Sequence, residues 1–243
     1  RLVMVAGESS GDQLAAVLLT GMHARYAQVS SAGIVGEAMV AQGAQAWWSS
    51  QSLAVRGYFE PIKHLPRILK MRSELIERTI AMRPDVFIGI DAPDFNLGVE
   101  TQLRAQGVPT MHYVSPSIWA WRAGRIEKIR RAVDHMLLIF PFEQKIYDDA
   151  GIPATYVGHP LASVIPMVPD RHAARAQLGL HDGDEVLAIL PGSRSAEVEY
   201  IALPFFRAAA LILKARPAIK LIVPAVPALR ERIEQLAHAS GLG

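Results

Sequence analysis

The chain predicts an α/β protein built on parallel sheets, and three observations carry that prediction. Leu2–Ala6 and Val86–Ile90 are short apolar runs, the second bounded by Pro84 and Pro93, of the kind buried on both faces of a sheet. Between such runs lie stretches whose apolar residues recur at helical spacing. Strand and helix alternate in this way through more than 150 residues, the pattern of a doubly wound sheet.

A length of 243 residues suits one to two domains, and a hydrophobic content of 51% excludes general disorder. No apolar run reaches the ~18–20 residues that cross a bilayer. The first strand runs into a polar Glu-Ser-Ser-Gly-Asp segment, unlike a secretory signal. The chain has no cysteine, which excludes a disulfide framework and any cysteine nucleophile or metal ligand, and fits the cytosol. The net charge of +2 is unevenly spread. Residues 56–83 carry seven basic side chains against three acidic ones, and residues 122–131 carry five against one. Each segment could face anionic lipid, nucleic acid or a phosphorylated substrate, or simply solvent.

Leu2–Ala6 leads through Gly7-Glu8-Ser9-Ser10-Gly11-Asp12 into a helix expected from Leu14 to about Tyr26. Strand, glycine-and-serine turn and helix is a layout in which helix amides hold an anion. It lacks the G-x-G-x-x-G fingerprint, and Glu8 would repel a pyrophosphate, so NAD chemistry is poorly supported. Strands follow at about 31–35 and 44–48. Pro61 and Pro66 mark the start of a helix running to about Arg83, since proline is tolerated in a first turn. On it Leu65, Ile68, Leu69 and Met71 interleave with Lys63, Arg67, Lys70 and Arg72. That pairing suits an interfacial membrane helix or, more simply, a core helix with a basic outer face. Val86–Ile90 then leads to Asp91, with Asp94 placed to cap a helix of about Phe95–Gln106.

Thr110–Val114 is the next strand. It opens on Ser115-Pro116-Ser117-Ile118-Trp119-Ala120-Trp121-Arg122, whose indoles and guanidinium could stack on a flat ligand or sugar, or plug the core. A helix at 123–131, a strand His135–Phe140, a helix Glu143–Ala150 and a strand Thr155–Val157 complete this unit. Residues 161–171 carry two prolines and no clear period, so the domain boundary falls there. The second unit reads as a helix at 171–178, a strand Val186–Leu190, a turn Pro191–Glu197, a helix to about Ala215, a strand Ala218–Val223 and a helix from about Ala228. Two strands cannot make an independently stable open sheet, and the chain opens on Arg1. The expectation is a fragment that lacks most of its second domain.

Asp91 stands at a strand's carboxyl end, where open α/β sheets bind ligands. With Asp94 as the cap, its carboxylate is available as a base, or for a hydrogen bond to the turn before Pro93. Pro191-Gly192-Ser193-Arg194, followed by Ser195 as a cap and Glu197 in the first turn, is a candidate phosphate site. Glycine admits close backbone approach, the helix terminus supplies N–H donors, and Arg194 offers a bidentate fork. The same residues also make an ordinary capped turn. No G-x-S-x-G elbow is present, which speaks against a Ser-His-Asp hydrolase. The eight histidines show no ligand spacing, which speaks against a metal. His112 and His159 lie beside strand ends and could reach a ligand, although a core or turn-bonding role accounts for each.

Six segments together resemble the lipid-A-disaccharide synthase family: Ala6-Gly7-Glu8-Ser9-Ser10-Gly11-Asp12, Gly89-Ile90-Asp91-Ala92-Pro93-Asp94-Phe95-Asn96, His112 to Arg122, Phe140-Pro141-Phe142-Glu143, Val157-Gly158-His159-Pro160, and Leu190 to Glu199. Their order and spacing run from the first strand to about Val226, with Ser9 where alanine is common and Pro160 where threonine occurs. The resemblance implies a GT-B-like fold of two Rossmann-like parallel-sheet domains. Residues 1–165 would form the acceptor- and membrane-facing domain, and 172–243 the first part of a UDP-sugar-binding domain. It implies an inverting glycosyltransferase, active without cofactor or metal, that joins UDP-2,3-diacylglucosamine to 2,3-diacylglucosamine 1-phosphate through a β-1,6 bond and releases UDP. Its partners would be those two lipids and an anionic membrane surface, with no nucleic acid and a homodimer left open. Its place would be the cytoplasmic face of the inner membrane of a Gram-negative bacterium.

Carried onto this chain, Asp91 is the base and Arg194 stabilises the leaving group. Glu8, Ser10, Gly11, Asp12, Ser115, Trp119, Trp121, Arg122, His159, Gly192, Ser193 and Glu197 contact substrate. Leu65, Ile68, Leu69 and Met71 meet acyl chains. Two other classes use similar folds. A non-catalytic nucleotide-binding module would need no base at Asp91, and an oxidoreductase would need the missing glycine fingerprint.

Overall fold

The computed structural model describes residues 1–53, 61–119 and 123–242, and for residues 61–65 and 123 the backbone alone. The described residues divide into two compact units, the first within residues 1–166 and the second from residue 167 onward.

In the first unit seven strands form one parallel sheet. They are β1 (Leu2–Ala6), β2 (Ser31–Val35), β3 (Gln45–Ser49), β4 (Val86–Ile90), β5 (Thr110–Tyr113), β6 (His135–Leu138) and β7 (Ala154–Tyr156), in the spatial order β3-β2-β1-β4-β5-β6-β7. The crossovers carry α1 (Ser9–Arg25), α2 (Glu37–Ala41), α3 (Pro61–Met82), α4 (Pro93–Ala105), α5 (Ile126–Ala132) and α6 (Glu143–Asp149). Alternation along β1 sends Leu2, Met4 and Ala6 to one face, where they pack with Leu14, Ala15 and Leu19 of α1. Val3 and Val5 go to the other face, against Phe87, Met71 and Leu75 of α3, and Val99 and Leu103 of α4. Helices on both faces are what allow β1, β2 and β4 to be apolar almost throughout.

This packing corrects the reading of α3. Met71, assigned to acyl chains, is 5% exposed and belongs to the core beneath the sheet, with Leu75 at 0%. Arg78 of the same helix lies over Trp48 of β3, its guanidinium carbon 4.7 Å from the ring centroid. From Met71 onward α3 is therefore a core helix. Leu69 is exposed and Ile68 half-buried, so an outward apolar side remains at those two positions. The side chain of Leu65 lies outside the described residues.

Two further elements differ from expectation. α1 begins at Ser9, so Ser10, Gly11 and Asp12 form its first turn rather than a loop. The turn expected after β2 contains the one-turn helix α2, whose amides are held by Asp12.

After α7 (Leu161–Val164), the second unit holds α8 (Arg171–Gln177) and a parallel pair, β8 (Val186–Ala188) and β9 (Lys220–Ile222). Between the two strands one helical run passes from α9 (Ser195–Glu197) through a π-turn at Val198–Ala202 into α10 (Leu203–Ala215). Pro204 opens α10 without an N–H to donate, and the turn preceding it takes the wider π form. α11 (Arg230–Ala239) closes a core of Ile189, Val198, Phe206 and Ile233.

Candidate active site

Strand order in the first unit reverses between β1 and β4, and the carboxyl ends beside such a reversal are where open α/β sheets bind ligands. The residues placed there are Glu8 after β1 and Asp91 after β4. Glu8, exposed, occupies the position just before α1, and Ser10 is exposed on the first turn.

The backbone after β4 is strained. Asp91 and Ala92 both adopt the left-handed region, with φ of 51° and 45°, and Val114 after β5 has φ of 78°. Each such residue costs on the order of 1–3 kcal/mol and persists only where its surroundings over-determine it. Here the Asp91 amide donates to the Tyr113 carbonyl at 2.9 Å. Its carbonyl accepts from Asn96 Nδ2 at 2.8 Å. Asp91 is half-buried, and among the described residues its carboxylate makes no hydrogen bond. Asp94 does not cap α4 as expected: Ala92 holds that position with Pro93 next, and Asp94 Oδ1 accepts from Arg125 Nη2 at 2.5 Å.

Behind this turn lies a buried polar group that the sequence did not reveal. Asn96 and Glu100 share one face of α4, and His112 of β5 pairs in register with Gly89 of β4. All three polar side chains are wholly buried, and His112 Nδ1 lies 2.7 Å from Glu100 Oε1. A Cβ on Gly89 would stand 2.2 Å from Glu100 Oε1 and 2.9 Å from Asn96 Cβ, so glycine there is what admits the group. His112 is thus a core histidine.

Other assigned residues have structural work. Asp12, 6% exposed, accepts from the amides of Gly36 at 2.9 Å and Ala38 at 2.8 Å, so its carboxylate secures α2 rather than a substrate. Gly11 is buried beside it. Ser115 Oγ lies 2.6 Å from Tyr147 Oη in the core, which places this hydroxyl inside the fold, away from any ligand. Burial pushes the Tyr147 phenol up to about 12. Burial also raises Glu143, against hydrogen bonds from the Phe140 amide and the side chains of Ser115 and Trp119. His159 Nδ1 accepts from the Leu161 amide at 3.1 Å, the turn-bonding role. Trp119 is half-exposed, edge-on to Phe142 at 5.3 Å, and Phe142 stacks on Phe140 at 5.5 Å. Those rings form an aromatic surface on the same sheet edge. Trp121 and Arg122 lie outside the described residues.

In the second unit the turn after β8 is already satisfied. Glu197 Oε2 accepts from the amides of Ser193 at 3.0 Å and Arg194 at 3.1 Å, and Oε1 accepts from Arg194 Nη1 at 3.1 Å. Those amide bonds hold the Glu197 carboxyl below its ordinary value. Gly192, at φ 108°, is required because a Cβ there would meet Glu197 Cβ at 2.5 Å. The cap is Arg194 rather than Ser195. Glu197, assigned to substrate, is therefore the organiser of the loop, and it holds the donors that a phosphate would use. No cluster of three or more His, Asp or Glu side chains able to hold a metal occurs among the described residues.

Residues 2–242 match the family described as lipid-A-disaccharide synthetase. The chain belongs to that family. It is 58% identical over its whole length to the lipid-A-disaccharide synthase of Verminephrobacter eiseniae and 57% identical to that of Albidiferax ferrireducens. It spans 63% and 62% of those two proteins. Among solved structures, a protein of Listeria monocytogenes assigned as a UDP-N-acetylglucosamine 2-epimerase matches all of this chain and 66% of its own, with a TM-score of 0.61 at 13% identity. The UDP-GlcNAc 2-epimerase of Neisseria meningitidis matches 98% of this chain and 69% of its own, at 0.59 and 12%. That likeness gives the fold, which is GT-B-like, with a parallel α/β sheet in each unit.

Proposed function

We propose that the full-length protein is an inverting glycosyltransferase of lipid A synthesis. In this reading UDP-2,3-diacylglucosamine is the donor and 2,3-diacylglucosamine 1-phosphate the acceptor. The observation that carries it is the half-buried Asp91 carboxylate, displayed without a hydrogen-bond partner among the described residues on a strained turn at the strand-order reversal. Family membership supports the substrate class.

The acceptor's 6′-hydroxyl gives its proton to the Asp91 carboxylate as its oxygen bonds to the donor's anomeric carbon. The bond from that carbon to the diphosphate breaks, its electron pair leaves with UDP, and the configuration inverts to β. Arg194 stabilises the leaving diphosphate with its guanidinium fork. A transfer assay with both lipids on the full-length protein tests this: one UDP must appear per β-1,6 disaccharide. UDP release without disaccharide would make the protein something else.

Attachment to an anionic membrane is part of the same proposal. Among the described residues no helix is long and apolar enough to cross a bilayer. The outward side of α3, with Leu69, Ile68, Arg67 and Lys70, suits a surface contact. Leu69→Glu should leave the melting temperature in place and shift the protein from anionic vesicles to the supernatant. Unaltered vesicle binding would remove α3 from the contact.

A further inference from the structure

We propose that Asn96 is the positioning residue for Asp91, the element that holds the base in its displayed conformation. The inference rests on the reading of Asp91 as the base. Asn96 is wholly buried on the first turns of α4. Its Nδ2 faces three carbonyl oxygens, Asp91 at 2.8 Å and Ile90 and Val5 each at 3.4 Å. Its own amide donates to the Ala92 carbonyl at 3.0 Å. One residue therefore touches the end of β1, the end of β4 and both left-handed residues between β4 and α4.

The arrangement divides the functions of Asp91 cleanly. Its N–H is engaged by β5 and its C=O by Asn96, and the side chain is what remains for chemistry. A residue chosen only for packing would be apolar, since the chain neighbours Ile90, Leu97 and Val99 are all buried core residues. Among the described residues Asn96 Oδ1 is buried without a partner, as are Glu100 Oε2 and His112 Nε2, and Gly89 lies against both Asn96 and Glu100. Buried polar atoms of this kind lower stability. Their concentration behind one strained aspartate is explained by what the strain achieves. An asparagine amide is suited to the task because it donates at neutral pH without carrying charge.

The test uses full-length protein, both lipid substrates, and steady-state rates beside melting curves. Asn96→Ala should lower kcat by about 10–100-fold, the order expected when a catalytic group is misplaced by about 1 Å, with KM for either substrate within about twofold. Ala92→Gly added to Asn96→Ala should recover part of kcat, because glycine takes the left-handed conformation without penalty. A loss of mere packing would not respond to that second change. If Asn96→Ala does not fold, Asn96→Ser, which keeps a donor, must fold with an intermediate kcat. Failure of both to fold would overturn the proposal, since Asn96 would then serve the fold. Asp91→Asn separates the two layers of argument. If it is inactive while folded Asn96→Ala keeps kcat within about threefold of wild type, the positioning role alone falls. If Asp91→Asn stays active, the base assignment falls and the positioning role with it.

Discussion

After β4 the backbone is strained and the Asp91 carboxylate has no hydrogen-bond partner among the described residues; after β8 the turn is relaxed around a carboxylate from its own helix. Both turns follow a parallel strand, both precede a helix, and both carry a residue suited to transfer chemistry. They differ in where the polar groups are directed. In the first, the N–H and C=O of Asp91 are both satisfied from inside the fold, and its side chain is what is displayed. In the second, the amides that could meet a phosphate are satisfied by Glu197, which leaves Arg194 as the group beyond them, itself paired to that glutamate. In the proposed reaction the first turn is organised ahead of its ligand, and the second would exchange one anion for another.

The largest effect that follows from this contrast is at Asp91. Asp91→Asn in the full-length protein should lower kcat by about 10²–10⁴-fold, the worth of a positioned base, with the melting temperature unchanged. A fall of less than about tenfold would erase the distinction between the turns, because the displayed carboxylate would then have no chemical role. Arg194→Ala should come next, slowing transfer by on the order of 10²-fold and weakening inhibition by UDP. Lysine should restore only part of this, since it lacks the planar fork. Equal UDP inhibition in wild type and Arg194→Ala would move the phosphate contact away from the turn after β8.

Much of this contrast was legible in the chain, and the rest was hidden for physical reasons. Leu2–Ala6 and Val86–Ile90 stand in the structure at their expected bounds, because a short apolar run between breakers has few alternatives. Asp91 followed from one of those bounds. Asn96 did not, because one of its three carbonyl partners lies 91 positions away and only the assembled sheet brings it near. Asp12 misled for the same reason: in sequence it closes a polar loop, while in space it caps a helix 24 or more residues on. Helix α2 has five residues and no apolar period of its own, so its existence depends on that distant carboxylate. Met71 shows the limit of periodicity, which cannot tell an apolar face turned to lipid from one turned to the sheet.

A smaller effect tests whether the second turn exchanges its anion. Glu197→Gln keeps an acceptor of the same shape but removes the charge. Hydrogen bonds to a charged acceptor contribute about 1 kcal/mol more than neutral ones, so the amides of Ser193 and Arg194 should be released about fivefold more readily. UDP should accordingly bind a few-fold more tightly to Glu197→Gln than to wild type in a calorimetric titration. Weaker binding would mean that the carboxylate pre-forms the loop for the phosphate instead of competing with it.

The smallest effect compares two glutamates in the first turns of helices, Glu143 in α6 and Glu197 in α9. Their pKa values move in opposite directions from the ordinary 4.5, Glu143 upward through burial and Glu197 downward through its amide bonds. A raised carboxyl favours the fold most below 4.5, and that contribution is lost as pH rises through the folded-state value. A lowered one contributes above 4.5 and is lost as pH falls through its folded-state value. Glu143→Gln should therefore gain stability relative to wild type as pH climbs above 4.5. Glu197→Gln should be the less stable partner at neutral pH and draw level with wild type in acid. The four tryptophans lie at positions 47, 48, 119 and 121, and Trp47, Trp48 and Trp119 belong to the unit that holds Glu143, so fluorescence reads the first comparison. Amide exchange at Ser193 and Arg194 reads the second. Parallel pH slopes in the two variants would show that the satisfied turn and the buried one respond to the same force, and the contrast drawn between burial and hydrogen bonding would fail.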